Sequence, residues 1–259
     1  MREGFLRVRI LGSGSSGNAV LVMAGRCRLL VEAGVAASRV EAGCRAEGFE
    51  AGDLAAVLIS HDHADHAGNA PLLSRRHRVP VICSEEAEEG LARAGKRLSE
   101  RIPLEPFTDL GDLTVVSFPV PHDVTNHGFR FEADGARVGM VTDLGSVTEE
   151  IVESLWNCDV LIVEANHDTA RLHAGPYPPW LKQRILSPTG HLSNHAAAML
   201  AAGAAGPATR RVVLAHLSRQ NNDPATAQGE VRGCLRRAGR WDLEVDVASR
   251  RGLPTPLVP

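Results

Sequence analysis

The sequence predicts an α/β fold built as a single domain over residues 1–259, and three observations predict it. Short β-type runs alternate with segments of helical periodicity along the whole chain. Hydrophobic residues make up 44% of the chain and aromatics only 4%, so the core is filled mainly by Val, Leu, Ile and Ala. No stretch is long enough, or rich enough in Pro, Gly and Ser, to act as a linker, and α/β sandwiches of this length are routinely one domain. With 23% charged residues the composition is that of a globular protein.

Taken in order, three β-type runs (residues 6–11, 19–23 and 28–31) open the chain, broken by the turn Gly12-Ser13-Gly14-Ser15-Ser16-Gly17-Asn18. That turn has neither the G-x-G-x-x-G nor the Gly-Lys-Ser/Thr pattern of a nucleotide cradle, although its backbone amides could cup a phosphate. A helix is predicted over 38–48, and the apolar strand 55–59 then delivers Ser60 into a histidine cluster. Another helix near 69–76, a short strand at 79–83 and a charged helix over 85–96 complete the first half. Strands follow at 114–120, 128–132 and 137–142, and Glu149 and Glu150 mark the first turn of a helix that begins near Thr148. The strand 160–164 runs into Ala165-Asn166-His167-Asp168. A Pro-rich link (175–180), a basic helical segment (181–186) and an Ala-rich helix after Asn194 come next. The last elements are a strand at 211–215 ending in His216, a helix near 224–238 and a strand at 243–247.

Several function classes fall away on composition. No run approaches the roughly 20 apolar residues of a membrane span. The start of the chain carries Arg2, Glu3, Arg7 and Arg9 without an apolar signal region, so a cytoplasmic protein with no membrane partner is expected. Cys27, Cys44, Cys83, Cys158 and Cys234 are odd in number and lack a C-x-x-C pair, which argues for reduced, mostly buried thiols. The net charge of −3 gives no general argument for a polyanionic partner. From Gly203 onward, nine Arg residues stand against five acids, which fits a solvated surface as well as a phosphate-binding edge. No obligate protein partner is evident.

The chemistry is concentrated in Ser60-His61-Asp62-His63-Ala64-Asp65-His66-Ala67-Gly68. A chance His-x-His-x-Asp-His in a chain of this composition has a probability on the order of one in a thousand. In an extended segment His61 and His63 project to the same side, and the turn that follows brings Asp65 and His66 to a neighbouring position. Imidazole nitrogens with carboxylate oxygens and no thiolate suit zinc, manganese or iron. Four side chains on one loop cannot close two coordination spheres, so further ligands must come from other strand ends. His122, Asp143 and His216 each lie just past an apolar run.

That order of His and Asp residues resembles the metallo-β-lactamase superfamily over nearly the whole chain. The finer resemblance is to its YycJ/WalJ-like branch of bacterial DNA exonucleases. It is carried by the Gly12–Asn18 turn, Val141-Thr142-Asp143-Leu144-Gly145, Glu164-Ala165-Asn166-His167-Asp168, Gly190-His191-Leu192-Ser193-Asn194, and Leu214-Ala215-His216-Leu217-Ser218 with Asn221-Asn222. His127 stands where the branch leads one to expect proline. The resemblance implies a four-layer αββα sandwich holding two divalent metal ions. His61, His63 and His122 would hold one, Asp65, His66 and His216 the other, and Asp143 would bridge them.

The resemblance further implies a hydrolase, with DNA as the expected substrate. Paired cations lower the pKa of a shared water and stabilise charge on the attacked and leaving oxygens, so a phosphodiester is opened by in-line attack of hydroxide. Asp65 is a candidate to orient or deprotonate that water, and His191 to protonate the leaving oxygen. For His167 and His191 a core or ligand-orienting role competes with a direct one. Lys182, Arg184, Arg219 and Gln220 are phosphate contacts or solvated charge. Pro176-Tyr177-Pro178-Pro179-Trp180 is a stacking surface for bases or, as such stretches more often are, a packing link. The alternative activity is hydrolysis of a small cyclic phosphodiester, a lactone or a thioester on the same fold.

Overall fold

The computed structural model describes residues 6–259; the charged start at Arg2 and Glu3 lies outside the described residues. Its contacts divide the chain into two compact units, one of residues up to Ser117 with Glu132–Gly135 and Ser249–Val258, the other of Phe118–Phe131 with Ala136–Ala248.

The first unit carries a six-stranded sheet in the order β1-β2-β3-β4-β5-β6, with β1 Arg7–Gly12, β2 Ala19–Ala24, β3 Cys27–Val31, β4 Ala56–Leu58, β5 Val81–Cys83 and β6 Arg101–Pro103. β1, β2 and β3 form an antiparallel meander, and β3 to β6 are parallel. The helices α1 (Ala37–Ala46), α2 (Ala64–Ala67), α3 (Ala70–His77) and α4 (Glu85–Arg93) fill the connections. α1 buries Ala37, Val40, Gly43 and Cys44, the i, i+3, i+6, i+7 spacing of one helical face. Ser84 starts α4 by accepting the Ala87 N–H on its hydroxyl at 3.2 Å. A hairpin of β7 (Phe107–Asp109) and the start of β8 (Thr114–Val120) pairs Phe107 with Val116. The apolar core of this unit lies around Leu21, Leu30, Val57, Ile59 and Leu73.

In the second unit β9 (Asn126–Ala133), β10 (Ala136–Val141), β11 (Val160–Glu164), β12 (Arg211–Ala215) and β13 (Glu244–Val247) lie in the order β13-β12-β11-β10-β9. β10 to β13 are parallel. Every residue of β11 is buried, as expected of a parallel strand covered on both faces. The helices are α5 (Glu149–Leu155), α6 (Thr169–Ala174), α7 (Pro179–Leu186), α8 (Asn194–Ala204) and α9 (Pro224–Arg237). Side chains of Thr148, Asp168, Ser193 and Asp223 cap α5, α6, α8 and α9. The core clusters on Leu161, Val163, Leu192, Leu200, Val212 and Leu214.

The mixed α/β architecture with two sheets is the one read from sequence. Strands 114–120, 160–164 and 211–215 fall where predicted, and most other ends move by one or two residues. The sequence reading omitted β6, β7, α2 and α6, all short. All five cysteines are buried and free, and burial pushes the thiols of Cys44 and Cys83 up to about 12. Among the described residues no helix is long and apolar enough to cross a membrane.

Leu161 is fully buried in the middle of β11, so Leu161→Ala removes apolar contacts from the cluster it shares with Val163, Leu200 and Val212. The expected loss is about 3 kcal/mol, read as a lower urea midpoint at unchanged m-value.

Candidate metal centre

Except for His122, which follows β8, the predicted metal ligands stand beyond the C-terminal ends of parallel strands, where open α/β sheets generally place their chemistry. In the first unit β3 and β4 pair Val31 with Leu58, so Glu32 and the segment Ile59-Ser60-His61 leave the sheet side by side. In the second, β10 to β12 align Val141 with Val163 and Glu164 with Ala215. Asp143, Glu164 and His216 therefore emerge at one edge. Glu32, Asp143 and His216 have φ of 63°, 61° and 54°, the left-handed region that side chains other than glycine's adopt at a cost of about 1 kcal/mol or more. That backbone turn takes the chain abruptly off each strand end.

The first cluster is built on the loop after β4. His61 is fully buried, with its ring centroid 4.6 Å from that of His63 and 4.3 Å from that of His66. Ser60 Oγ lies 2.9 Å from His61 Nδ1; with Nδ1–H donating there, Nε2 carries the lone pair. Asp65 and His66 sit on the one-turn helix α2 rather than in a plain turn. His66 Nδ1 lies 3.4 Å from the buried Glu32 carboxylate. Its Nε2 accepts from Asn18 Nδ2 at 2.9 Å, an interaction that a metal bound at Nε2 would replace.

The Gly12–Asn18 turn serves this cluster and does not offer a phosphate cup. The Gly14 N–H donates to Asn18 Oδ1, the Gly17 N–H to Gly14 O and the Asn18 N–H to Asp65 O at 2.8 Å. Those amides are spent inside the protein. Asn18 Nδ2 also donates to Asp65 O at 3.2 Å, and the absence of a side chain at Gly34 leaves room for that same carbonyl. The turn and Gly34 thus grip the main chain of Asp65 from two sides.

The second cluster turns on Glu164, which is 0% exposed. Its Oε1 accepts from His216 Nδ1 at 2.8 Å and from His191 Nδ1 at 2.9 Å, while Oε2 accepts the N–H groups of Leu192 at 3.0 Å and Leu144 at 3.3 Å. Burial alone would raise this carboxyl, but the charge of His191 and the hydrogen bonds from both histidines outweigh it and hold the group at about 2. Burial alone would likewise lower His191, and the Glu164 carboxylate, with Asp143 assisting, holds that ring above its ordinary value instead. Asp143 Oδ1 lies 3.5 Å from His216 Nδ1 and 3.6 Å from His191 Nδ1. Ligand atoms of Asp143, Glu164, His191 and His216 all fall within 4.8 Å of one another. His122 joins this cluster, with Nδ1 donating to Gly190 O at 3.3 Å and its ring centroid 5.5 Å from that of His191.

The donor set fits a divalent metal. Nδ1 of His61, His122 and His216 each faces an oxygen, which leaves Nε2 as the atom to offer a metal, and the carboxylates of Asp65 and Asp143 add oxygen donors. His61, His63, Asp65 and His66 each also belong to a group of side chains able to hold an ion. His167 does not: it is 1% exposed, burial pushes it down to about 4, and it stands as a neutral core histidine.

Sequence reasoning passed over Glu164 and Glu32 as site residues, and three asparagines with them. Asn18 donates to the carbonyl of Asp65, Asn126 to that of Asp143 at 2.7 Å and Asn166 to that of His216 at 3.1 Å. The missed signal was an acid closing an apolar strand, in Leu30-Val31-Glu32-Ala33 and again in Ile162-Val163-Glu164-Ala165.

Glu164→Gln keeps the shape and offers one acceptor oxygen where four donors converge, stranding at least one histidine N–H. Metal affinity, measured by competition with a chromogenic chelator, is expected to fall about 10- to 100-fold. An unchanged affinity would show that Glu164 does not orient the ligands.

The profile of a β-lactamase superfamily domain matches residues 28–217. Among curated proteins, the exodeoxyribonuclease WalJ of Streptococcus pneumoniae is 34% identical over 229 residues, covering 86% of this chain and 85% of its own. The exodeoxyribonuclease YycJ of Bacillus anthracis is 30% identical over 243 residues, 90% of each chain. Among solved structures, the metallo-β-lactamase fold protein YhfI from Bacillus subtilis superposes with a TM-score of 0.75 at 20% identity, covering 98% of this chain and all (100%) of that one. Human tRNase Z, short form, gives a TM-score of 0.65 at 18% identity, with 98% and 99% covered. At those identities the two structures speak for the fold alone.

Proposed function

The chain belongs to the metallo-β-lactamase superfamily and, within it, to the family of the WalJ and YycJ exodeoxyribonucleases, and from that premise we propose that it is a divalent-metal-dependent phosphodiesterase that degrades DNA from an end. The observation that carries the reading is the Glu164 carboxylate, whose Oε1 holds Nδ1 of both His216 and His191. One buried carboxylate thereby sets the direction of two imidazoles: His216 to offer Nε2 to a metal, and His191 to keep its proton to higher pH.

In this reading His61, His63 and His122 would hold one ion and Asp65, His66 and His216 a second, with Asp143 available to both. Bound there, zinc or manganese would acidify water and neutralise charge on the attacked phosphate. Asp65 orients the attacking water and takes its proton. Its main chain is pinned by Asn18, while its side chain keeps 24% exposure. His191 gives a proton from Nε2 to the leaving oxygen, with Glu164 stabilising the cationic ring behind it. Five free thiols and the lack of a membrane-crossing helix among the described residues fit a cytoplasmic enzyme.

Digestion of end-labelled DNA by the metal-reconstituted protein tests the reading. Progressive shortening from one end, lost in Asp65→Ala, is the expected outcome. Cleavage of a chromogenic phosphodiester with DNA left intact would move the substrate to small phosphodiesters.

The His191 assignment makes a separate prediction. A general acid works while protonated, so the rate should fall as pH rises through the raised pKa of His191. His191→Gln should be slower by about a hundredfold, lose that alkaline limb and retain its metal. A variant with the wild-type pH profile would remove His191 from proton transfer.

A further inference from the structure

From Thr169 to Asn222, about a fifth of the chain, there is no Asp or Glu, in a protein of formal charge −3. Six basic residues fall in that stretch: Arg171, Lys182, Arg184, Arg210, Arg211 and Arg219. Arg210 and Arg211 stand at the start of β12, at the opposite end of the strand from His216, and are taken up by the Pro207 carbonyl and by Glu244. The other four surround α6 and α7. Lys182 Nζ donates to His173 O at 2.6 Å, tying α7 to α6. The N–H of Ser218 donates to Asn166 O and that of Asp168 to Asn221 O, both at 2.8 Å, which sets the Arg219 loop beside the start of α6.

α7 itself is an unusual helix for its place in the fold. Ile185 is its one buried residue, while Trp180 is 65% exposed and Leu186 40%. Packing does not account for such a surface, and Trp180 and Arg184 lie one turn apart on its open face. The helix also leads directly to the candidate general acid: the His191 N–H donates to Ile185 O at 3.0 Å, and Gly190 lies so close to the Arg184 and Ile185 carbonyls that no side chain fits there.

The other two tryptophans differ in their surroundings. Trp156 closes α5, whose first turn carries Glu149 and Glu150. Trp241 has the Arg236 guanidinium 5.6 Å over its ring. Trp180 is an aromatic face open to solvent among cations.

We propose that the outer face of α6 and α7 seats the single-stranded end of the DNA substrate, with a base stacked on Trp180 and the phosphates passing Lys182, Arg184 and Arg219 on the way to His191. This rests on the exonuclease reading above. Arg184 contributes least, because it is ion-paired with Asp123. Lys182 keeps two ammonium protons beyond its bond to His173, and Arg219 has no ion pair among the described residues. Bases stack on an aromatic ring whatever their identity, so the seat carries little sequence preference.

The test is a polarisation titration of the metal-loaded full chain against a fluorescein-labelled single-stranded oligonucleotide with phosphorothioate linkages that resist digestion, and against the blunt duplex of the same sequence. Trp180→Ala should weaken single-strand binding by roughly tenfold, Trp180→Phe by much less, and Trp156→Ala not at all. Lys182→Gln with Arg219→Gln should flatten the slope of log affinity against log salt by about 1.4, at about 0.7 for each phosphate that is no longer neutralised. An unchanged affinity in Trp180→Ala, in a chain that still digests DNA from an end, would overturn the seat and leave the exonuclease reading standing. A wild-type chain that neither binds the oligonucleotide nor digests DNA would overturn both.

Discussion

The arrangement depends on one constraint: a carboxylate buried at the end of an apolar strand has to be satisfied by the protein. Glu164 is fully buried and Glu32 is 1% exposed. A carboxylate without partners in such a place would cost several kcal/mol or take up a proton. Glu164 keeps its charge because two histidine N–H groups and two backbone N–H groups converge on it. The histidines it anchors are thereby fixed in tautomer and direction, so the cost of burying the charge and the readiness of the ligands are the same fact seen from two sides.

The first unit repeats the arrangement at Glu32, whose Oε1 faces His66 Nδ1 at 3.4 Å. Val-Glu-Ala closes β3 in the first unit and β11 in the second, and in both the acid sits beside a histidine that departs from a neighbouring parallel strand. Left-handed backbone at Glu32, Asp143 and His216 and side-chain amides from Asn18, Asn126 and Asn166 complete the pattern. A non-glycine residue in that conformation has its peptide carbonyl turned out of the sheet ladder. The asparagines supply donors to the carbonyls of Asp65, Asp143 and His216, and the backbone strain at the last two persists because the local network leaves no cheaper alternative.

How much of this could be read beforehand follows from which signals are local. Strands such as Val160–Glu164 announce themselves by unbroken apolar runs, and the His61 to His66 loop by a density of ligand residues that chance rarely gives. β6 and β7 are three residues each, partly exposed and without periodicity, and therefore carried no signal. Glu164 was visible in sequence and passed over, because an acid after an apolar run looks like a solvated strand end. Only the register that sets it beside Ala215 shows that it is covered. The asparagines are a harder case, since nothing in an isolated Asn tells a buried donor from a surface turn. That the amides of the Gly12–Asn18 turn could cup a phosphate was left open for the same reason: one of their acceptors, Asp65 O, comes from far along the chain.

Net charge is the least informative of these signals. A total of −3 offers no support for a polyanionic ligand, yet the acid-free stretch from Thr169 to Asn222 leaves the acids, and the excess of negative charge, on the remainder of the chain. At physiological ionic strength fields fade within about 8 Å, so a ligand meets the charges of the surface it approaches and hardly those of the rest of the molecule. A protein that degrades DNA therefore need not be basic overall: a local stretch without acids, such as the one that carries α6 and α7, lets a few cations act on a strand while the acids elsewhere are screened. Segregation of charge along the sequence, and not its sum, is the quantity that bears on the partner.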